Sequence, residues 1–151
     1  MSGRRLLPVL CAALLWGCAA PPAGTPAARA AAAEQRRLAL VLQGTPAIVA
    51  ARPDGSVRIG VPIAASFDGG RASVKPALAR VLDRLAADQR DDRTLLRITA
   101  PTDAGSRRLA LGTDRAVNAR AYLEERGVAP QRFSISSIAR GQQLEISLTK
   151  D

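Results

Sequence analysis

The stretch LGTDRAVNARAYLEERGVAPQRFSI, residues 111–135, decides the fold of this chain. Its first part predicts a helix from about Thr113 to Arg126. Gly127 follows, and glycine is the usual residue just beyond a helix end because it adopts the left-handed backbone conformation without strain. RFSISSI, residues 132–138, then predicts a strand. The neighbouring segments indicate what this helix and strand pack against.

A strand and another helix are predicted upstream. VRIGVPI, residues 57–63, places apolar residues at alternate positions, which is typical of a strand with one buried face. Ser73 is predicted to be the N-cap of the helix, and Pro76 lies in its first turn, where the missing N–H costs no hydrogen bond. The apolar side chains of this helix share one face, formed by Val74, Leu78, Val81, Leu82 and Leu85.

Short apolar runs supply the other strands. TLLRITA, residues 94–100, predicts a buried strand, and the polar residues 102–108 predict a loop after it. QLEISL, residues 143–148, alternates apolar and polar side chains and predicts the last strand.

The N-terminal part of the folded unit is predicted to be a hairpin. Two apolar runs, RLALVLQ (residues 37–43) and PAIVAAR (residues 46–52), are parted by Gly44 and Thr45. The predicted order is β-β-β-α-β-α-β-β. This order indicates an α+β fold with two helices packed on one face of a sheet.

The first 36 residues have the pattern of an export and anchoring segment. Residues 1–17 resemble a signal peptide, and the sequence LWGC predicts that Cys18 is lipidated. The alternative is an ordinary secretory signal cut within residues 19–24. The Ala- and Pro-rich residues 18–36 predict a tether, whose later proline-free half favours a helix, and residues 37–151 the folded domain. The two residues after Cys18 are alanine rather than aspartate, which favours the outer membrane over the inner membrane.

Composition removes several classes of function. The chain has no histidine, and its two cysteines are Cys11, inside the predicted signal peptide, and Cys18. A mature protein would therefore lack the common general base and the thiols of a disulfide or metal site, and no cofactor is implied. The formal net charge is +9, which attracts polyanions. With one Trp, one Tyr and two Phe, few aromatic side chains are available to stack on bases, and an exported chain would not meet nucleic acid. The arginines are spread along the sequence, so a solvated surface is expected more than one dedicated patch.

Three segments resemble the OmpA-like domain family. They are SFDGGRASVKPALARVLDRLA at residues 66–86, LRITAPTDAGS at residues 96–106, and the stretch at residues 111–135. Together they cover roughly residues 57–148. The resemblance implies a β-α-β-α-β-β sandwich with a mixed sheet, here with the extra N-terminal hairpin. It also implies noncovalent binding of peptidoglycan.

The resemblance implies two ligand-binding residues. Asp103 would take the ammonium group of a diaminopimelate residue, and Arg115 would take its carboxylate. A planar guanidinium suits that role because it grips a carboxylate with two hydrogen bonds. Thr102 would help to hold the loop. The alternative is that Asp103 makes a local turn and that Arg115 is a solvated helix residue beside Asp114.

The sequence departs from the family pattern around this site. A Gly-His pair is replaced, the loop between Asp103 and Leu111 is about three residues shorter than the common form, and the usual Asn-Arg-Arg triplet before the last strand is absent. Arg140 is the residue that could compensate. The altered positions are Ala100, Pro101, Gly141, Gln142 and Gln143.

Three functions are therefore open. The first is an outer-membrane lipoprotein that tethers the membrane to peptidoglycan. The second is a scaffold that has lost peptidoglycan binding and acts through a protein partner in an envelope assembly. The third, an enzyme, is the weakest, because Ser134, Ser136 and Ser137 have no histidine to activate them.

Overall fold

The computed structural model describes residues 24–105 and 110–150. It confirms the α+β class: a five-stranded mixed sheet carries helices on one face. The helices are α1 (Pro26–Val41), α2 (Ile63–Ser66), α3 (Pro76–Gln89) and α4 (Leu111–Glu124), and a single 3-10 turn spans Pro130–Arg132. The strands are β1 (Ile48–Ala51), β2 (Val57–Pro62), β3 (Leu95–Pro101), β4 (Phe133–Ile138) and β5 (Gln143–Thr149).

The strand order across the sheet is β1-β2-β5-β3-β4. Only β3 and β4 are parallel, and β5 runs antiparallel to both of its neighbours. Because side chains alternate between the two faces of a strand, one face collects every second residue. The buried face consists of rows that cross the sheet: Val57, Leu148 and Leu96; Ile59, Ile146 and Ile98; and Val61 with Leu144.

The helices α3 and α4 cover this face. Pro76 lies in the first turn of α3, as predicted, but it is the first residue of the helix, and the cap is Lys75 rather than Ser73. The prediction of Ser73 as N-cap is wrong because Lys75 still has extended backbone angles, so the helix begins two residues before Leu78 enters the core. The α4 helix is followed by Gly127 with a φ of 92°, as its C-terminal sequence predicts.

The predicted strand at residues 37–43 is wrong, because these residues continue α1 and its end. A strand would bury Leu38, Leu40 and Leu42 together, whereas Leu40 is 73% exposed and the other two are buried. Burial of Ala31 and Leu38, seven residues apart, has helical spacing. Thr25 caps the helix by accepting a hydrogen bond from the Ala28 N–H at 3.2 Å.

The N-terminal hairpin is formed instead by β1 and β2. Their antiparallel pairing closes through a turn at Pro53, Asp54 and Gly55, in which Gly55 has a φ of 88°. The α1 helix packs on these two strands and touches α3, so the residues from Pro26 onward that were assigned to a tether lie in a packed helix. Residues 1–17 and Cys18 lie outside the described part of the chain. Within that part, no helix is both long and apolar enough to cross a membrane.

Candidate functional site

The fold brings Asp103 and Arg115 into direct contact. Asp103 follows the end of β3, and Arg115 lies near the start of α4. An Nη2 of the guanidinium is 2.7 Å from Oδ1 of the carboxylate. The two residues that the family resemblance selects therefore form one ion pair at one end of the sheet.

The Arg115 side chain is almost completely buried, with 1% exposure. Besides Asp103, it donates hydrogen bonds to the carbonyl oxygens of Pro101 at 3.0 Å, Arg71 at 3.0 Å and Asp68 at 3.3 Å. Its guanidinium carbon also lies 5.2 Å from the centre of the Phe67 ring. Four donations to the protein itself join the start of α4, the end of β3 and residues 68–71.

Asp103 is more accessible, with 31% of its side chain exposed. Its Oδ2 accepts a hydrogen bond from the Gly70 N–H at 2.6 Å. This N–H holds the pKa of the Asp103 carboxyl below its usual value, and the Arg115 guanidinium acts in the same direction. Gly70 has a φ of 67°, a conformation that glycine adopts without steric cost. The carboxylate is therefore charged and held in place from two sides.

Thr102 ties the loop after β3 to the chain that follows β4. Its hydroxyl donates to the Ala139 carbonyl at 2.8 Å, and its N–H donates to the Ile138 carbonyl at 3.1 Å. The loop that carries Asp103 is thereby tied to the end of β4 as well as to Gly70.

The proline that departs from the family pattern does not separate Asp103 from Arg115. Pro101 turns its carbonyl to Arg115, and its ring lies toward Gly141, where an added Cβ would sit 3.1 Å from the Pro101 Cβ. On the other side, Gly112 lets α4 approach the strand closely. A Cβ at Gly112 would lie 2.7 Å from the Ala100 carbonyl oxygen. The altered strand end is therefore packed into the fold.

A shallow pocket is lined by Thr102, Ala104, Arg140, Gly141 and Gln142. Thr102 and Ala104 are the chain neighbours of Asp103, whose own side chain is not part of the lining. Arg140 is exposed there. Gln143 belongs to β5 and points its amide over Gly60 instead. Residues 106–109 of the shortened loop lie outside the described ranges.

Sequence reasoning did not include residues 67–71 in the site. Their contributions are the Phe67 ring, two backbone carbonyls and one backbone N–H. The Phe-Asp step at Phe67 and Asp68 was a signal for their position, because it was part of the family resemblance. Among the described residues, no group of three or more His, Cys, Asp or Glu side chains could hold a metal ion.

Comparison with known proteins gives a family match. The OmpA family matches residues 66–151. No curated protein matches this sequence.

Several solved structures share the fold. A putative MotB-like protein from Desulfovibrio vulgaris is 20% identical with a TM-score of 0.67, and the match covers 83% of this chain and 95% of that one. The cell wall anchor of the T6SS from Pseudomonas aeruginosa is 17% identical with a TM-score of 0.65, over 78% of this chain and 99% of that one. The periplasmic domain of Helicobacter pylori MotB is 20% identical with a TM-score of 0.61, over 72% and 88%.

Proposed function

This chain belongs to the OmpA family, and from that premise we propose that it associates noncovalently with peptidoglycan in the bacterial envelope. The observation that carries the proposal is the charged, partly exposed Asp103 carboxylate, which is fixed by the Gly70 N–H and Arg115. Its chain neighbours Thr102 and Ala104 line an open pocket together with Arg140. One solved relative of this fold is described as a cell wall anchor, which fits the same role.

Asp103 is proposed to receive the ammonium group of the peptide stem. An ionised carboxylate has about four lone-pair positions. The Gly70 N–H and the Arg115 guanidinium each donate to one of these lone-pair positions. The remaining positions on a side chain that is 31% exposed suit a cationic ligand group.

Arg140 is proposed to receive the ligand carboxylate. The resemblance implies Arg115 for this role, but its side chain is 1% exposed and already makes four donations. Arg115 therefore acts in this proposal as a positioning residue that holds Asp103. Arg140 is exposed and lines the pocket with Thr102, so it offers a guanidinium to a carboxylate without dismantling the fold.

The test is co-sedimentation of residues 19–151 with insoluble peptidoglycan sacculi at low and moderate salt. Asp103→Asn and Arg140→Gln each remove one charged contact, and we expect each to weaken binding about tenfold or more. The matched controls are Asp91→Asn and Arg93→Gln, two exposed residues near the start of β3. If net charge governed binding, Arg140→Gln and Arg93→Gln would weaken it equally, and Asp103→Asn and Asp91→Asn would both strengthen it. That outcome would assign the binding to net charge rather than to the site.

A second candidate function is a scaffold that binds a protein partner of an envelope assembly and not peptidoglycan. The contacts of Arg115 favour this scaffold function. Its guanidinium already donates four times to groups of the protein itself, so the presence of an arginine at this position requires no ligand. Absence of sacculus binding by the unaltered chain, with the protein folded, would select this function.

The membrane anchor is a further part of the proposal. We propose that Cys18 carries the lipid and that the protein is held at the periplasmic face of the outer membrane. Residues 1–17 have the signal pattern, and α1 begins at Pro26, so only seven residues lie between the anchor and the packed helix. Palmitate labelling that persists in Cys18→Ala would exclude this anchor, as would recovery of the unaltered protein in the inner-membrane fraction.

A further inference from the structure

The second face of the sheet carries polar side chains. Strand register places Arg58, Ser147, Arg97 and Ser134 in one row across β2, β5, β3 and β4. These side chains point away from the buried rows because they alternate with them along each strand. The helices pack on the other face, so we call this one the open face.

A groove runs over one end of the open face. Its lining has two guanidinium groups, several hydroxyl groups and two leucines, from Arg52, Arg97, Ser56, Ser134, Ser147, Thr149, Leu95 and Leu96. We call it the basic groove. Asp54 also lines it, but its Oδ1 accepts hydrogen bonds from both the N–H and the hydroxyl of Ser56, at 2.9 and 2.6 Å.

Both arginines of the groove are available to an anion. Arg97 is exposed, and within residues 24–105 and 110–150 its guanidinium makes no ion pair or hydrogen bond. Arg52 lies 3.9 Å from Glu145, whose carboxylate is held more closely by Arg58 at 2.9 Å. Guanidinium groups flanked by hydroxyl donors are the chemistry that binds phosphate oxygens.

The basic groove lies at the end of the domain where α1, the first helix, begins. Asp54 and Thr149 also border a cavity on the helix-bearing side, which is lined by Ala27 and Ala30 of α1. Arg97, in contrast, is separated from Asp103 by most of β3, about 20 Å at 3.3 Å per residue. The groove and the proposed wall-binding pocket therefore occupy opposite ends of the sheet.

We propose that the basic groove contacts the phosphate groups of an anionic lipid bilayer and turns the end of the sheet that carries Asp103 away from the membrane. The orientation part rests on the proposed lipid anchor. Seven residues between Cys18 and Pro26 span at most about 25 Å, so the end of the domain that carries the groove stays close to the bilayer. An anionic surface at that distance matches the charge of the groove.

The test is sedimentation of residues 19–151 with vesicles of phosphatidylcholine, either alone or mixed with phosphatidylglycerol. This chain keeps every described residue, and without the lipid it reports only the contact of the domain. We expect binding to the mixed vesicles alone. The double variant Arg52→Gln/Arg97→Gln should lower the partition coefficient about 25-fold, since each arginine near such a surface contributes about fivefold, or about 1 kcal/mol.

The matched control is Arg36→Gln/Arg80→Gln, which removes the same charge from exposed positions on α1 and α3. An equal loss of vesicle binding in this control would overturn the proposal, and so would equal binding to both kinds of vesicle or to neither. Failure of the peptidoglycan proposal is separable. Asp103→Asn should keep vesicle binding, and Arg52→Gln/Arg97→Gln should keep whatever binding to sacculi the unaltered chain has.

Discussion

Replacing Arg115 with alanine should destabilise the fold more than any other single change at the candidate site. The substitution removes a donor from one oxygen of Asp103 and from the carbonyls of Pro101, Arg71 and Asp68. Breaking a buried charge pair costs about 3–5 kcal/mol. Asp103 keeps the Gly70 N–H and partial contact with water, and the Asp68 carbonyl keeps the Arg71 N–H at 3.0 Å, which lowers the cost. The lost hydrogen bonds to the Pro101 and Arg71 carbonyls raise it. The expected loss is about 4 kcal/mol.

Urea denaturation followed by circular dichroism measures this loss. For an m-value of about 2 kcal/mol per molar urea, the midpoint should fall by about 2 M. Arg115→Lys keeps the positive charge but cannot reach three separate carbonyls as a planar fork does, so an intermediate loss of about 2–3 kcal/mol is expected. Arg140→Ala, at an exposed position, should change stability by less than about 0.5 kcal/mol. A loss below about 1 kcal/mol for Arg115→Ala would refute the structural role assigned to this residue.

Three further predictions test other parts of the structure. The Gly70 N–H and the Arg115 guanidinium lower the pKa of Asp103 in the folded protein. The stability that the ionised Asp103 contributes is therefore present above its unfolded pKa of about 4 and is lost as the pH falls through the lower folded pKa. Below pH 4, urea titrations should show the free energy of unfolding falling more steeply with pH in the unaltered protein than in Asp103→Asn, and equal pH dependence would contradict this. Leu38→Ala should lower the free energy of unfolding by about 3 kcal/mol in the same denaturation assay, because Leu38 is fully buried. Leu40→Ala should lower it little, since Leu40 is exposed. Equal losses would mean that α1 is not packed as described. Gly112→Ala should destabilise by about 2 kcal/mol because its Cβ would meet a carbonyl of β3 at 2.7 Å, whereas Gly69→Ala, which has open space around it, should be nearly neutral.

The sequence alone predicted the strands and the helix in which the spacing of apolar residues fits one type of secondary structure. Alternation in residues 57–63 and 143–148 predicted β2 and β5, and the spacing from Leu78 to Leu85 predicted the buried face of α3. Residues 37–43 were mispredicted because a short apolar run has no unambiguous period. Residues 37–41 are helical because the alanine-rich residues before them form the first part of α1 and because α1 packs on the hairpin.

The two charged residues of the site could be selected from sequence because the family resemblance fixes their positions. What sequence could not give is the partners of Arg115, since three of them are backbone carbonyls and a carbonyl has no residue signature. The same holds for the Gly70 N–H that fixes Asp103. These contacts depend on how the segment after α2 crosses the end of β3, which is a property of the assembled fold.

Asp103 and Arg115 differ in burial, and they therefore differ in how strongly their presence supports ligand binding. The internal hydrogen bonds of Arg115 are sufficient reason for an arginine at this position, whether or not the protein binds a ligand, because losing them costs much of the stability of a domain of this size. The presence of Arg115 is therefore evidence about the fold. Arg140 is the more informative residue for binding, because its exposed guanidinium contributes less to stability. A variant at Arg115 that fails to bind sacculi distinguishes a lost contact from a lost fold only when its stability is measured beside it. The same holds for Asp103→Asn, which takes the charge partner from the buried Arg115, whereas Arg140→Gln addresses the contact directly.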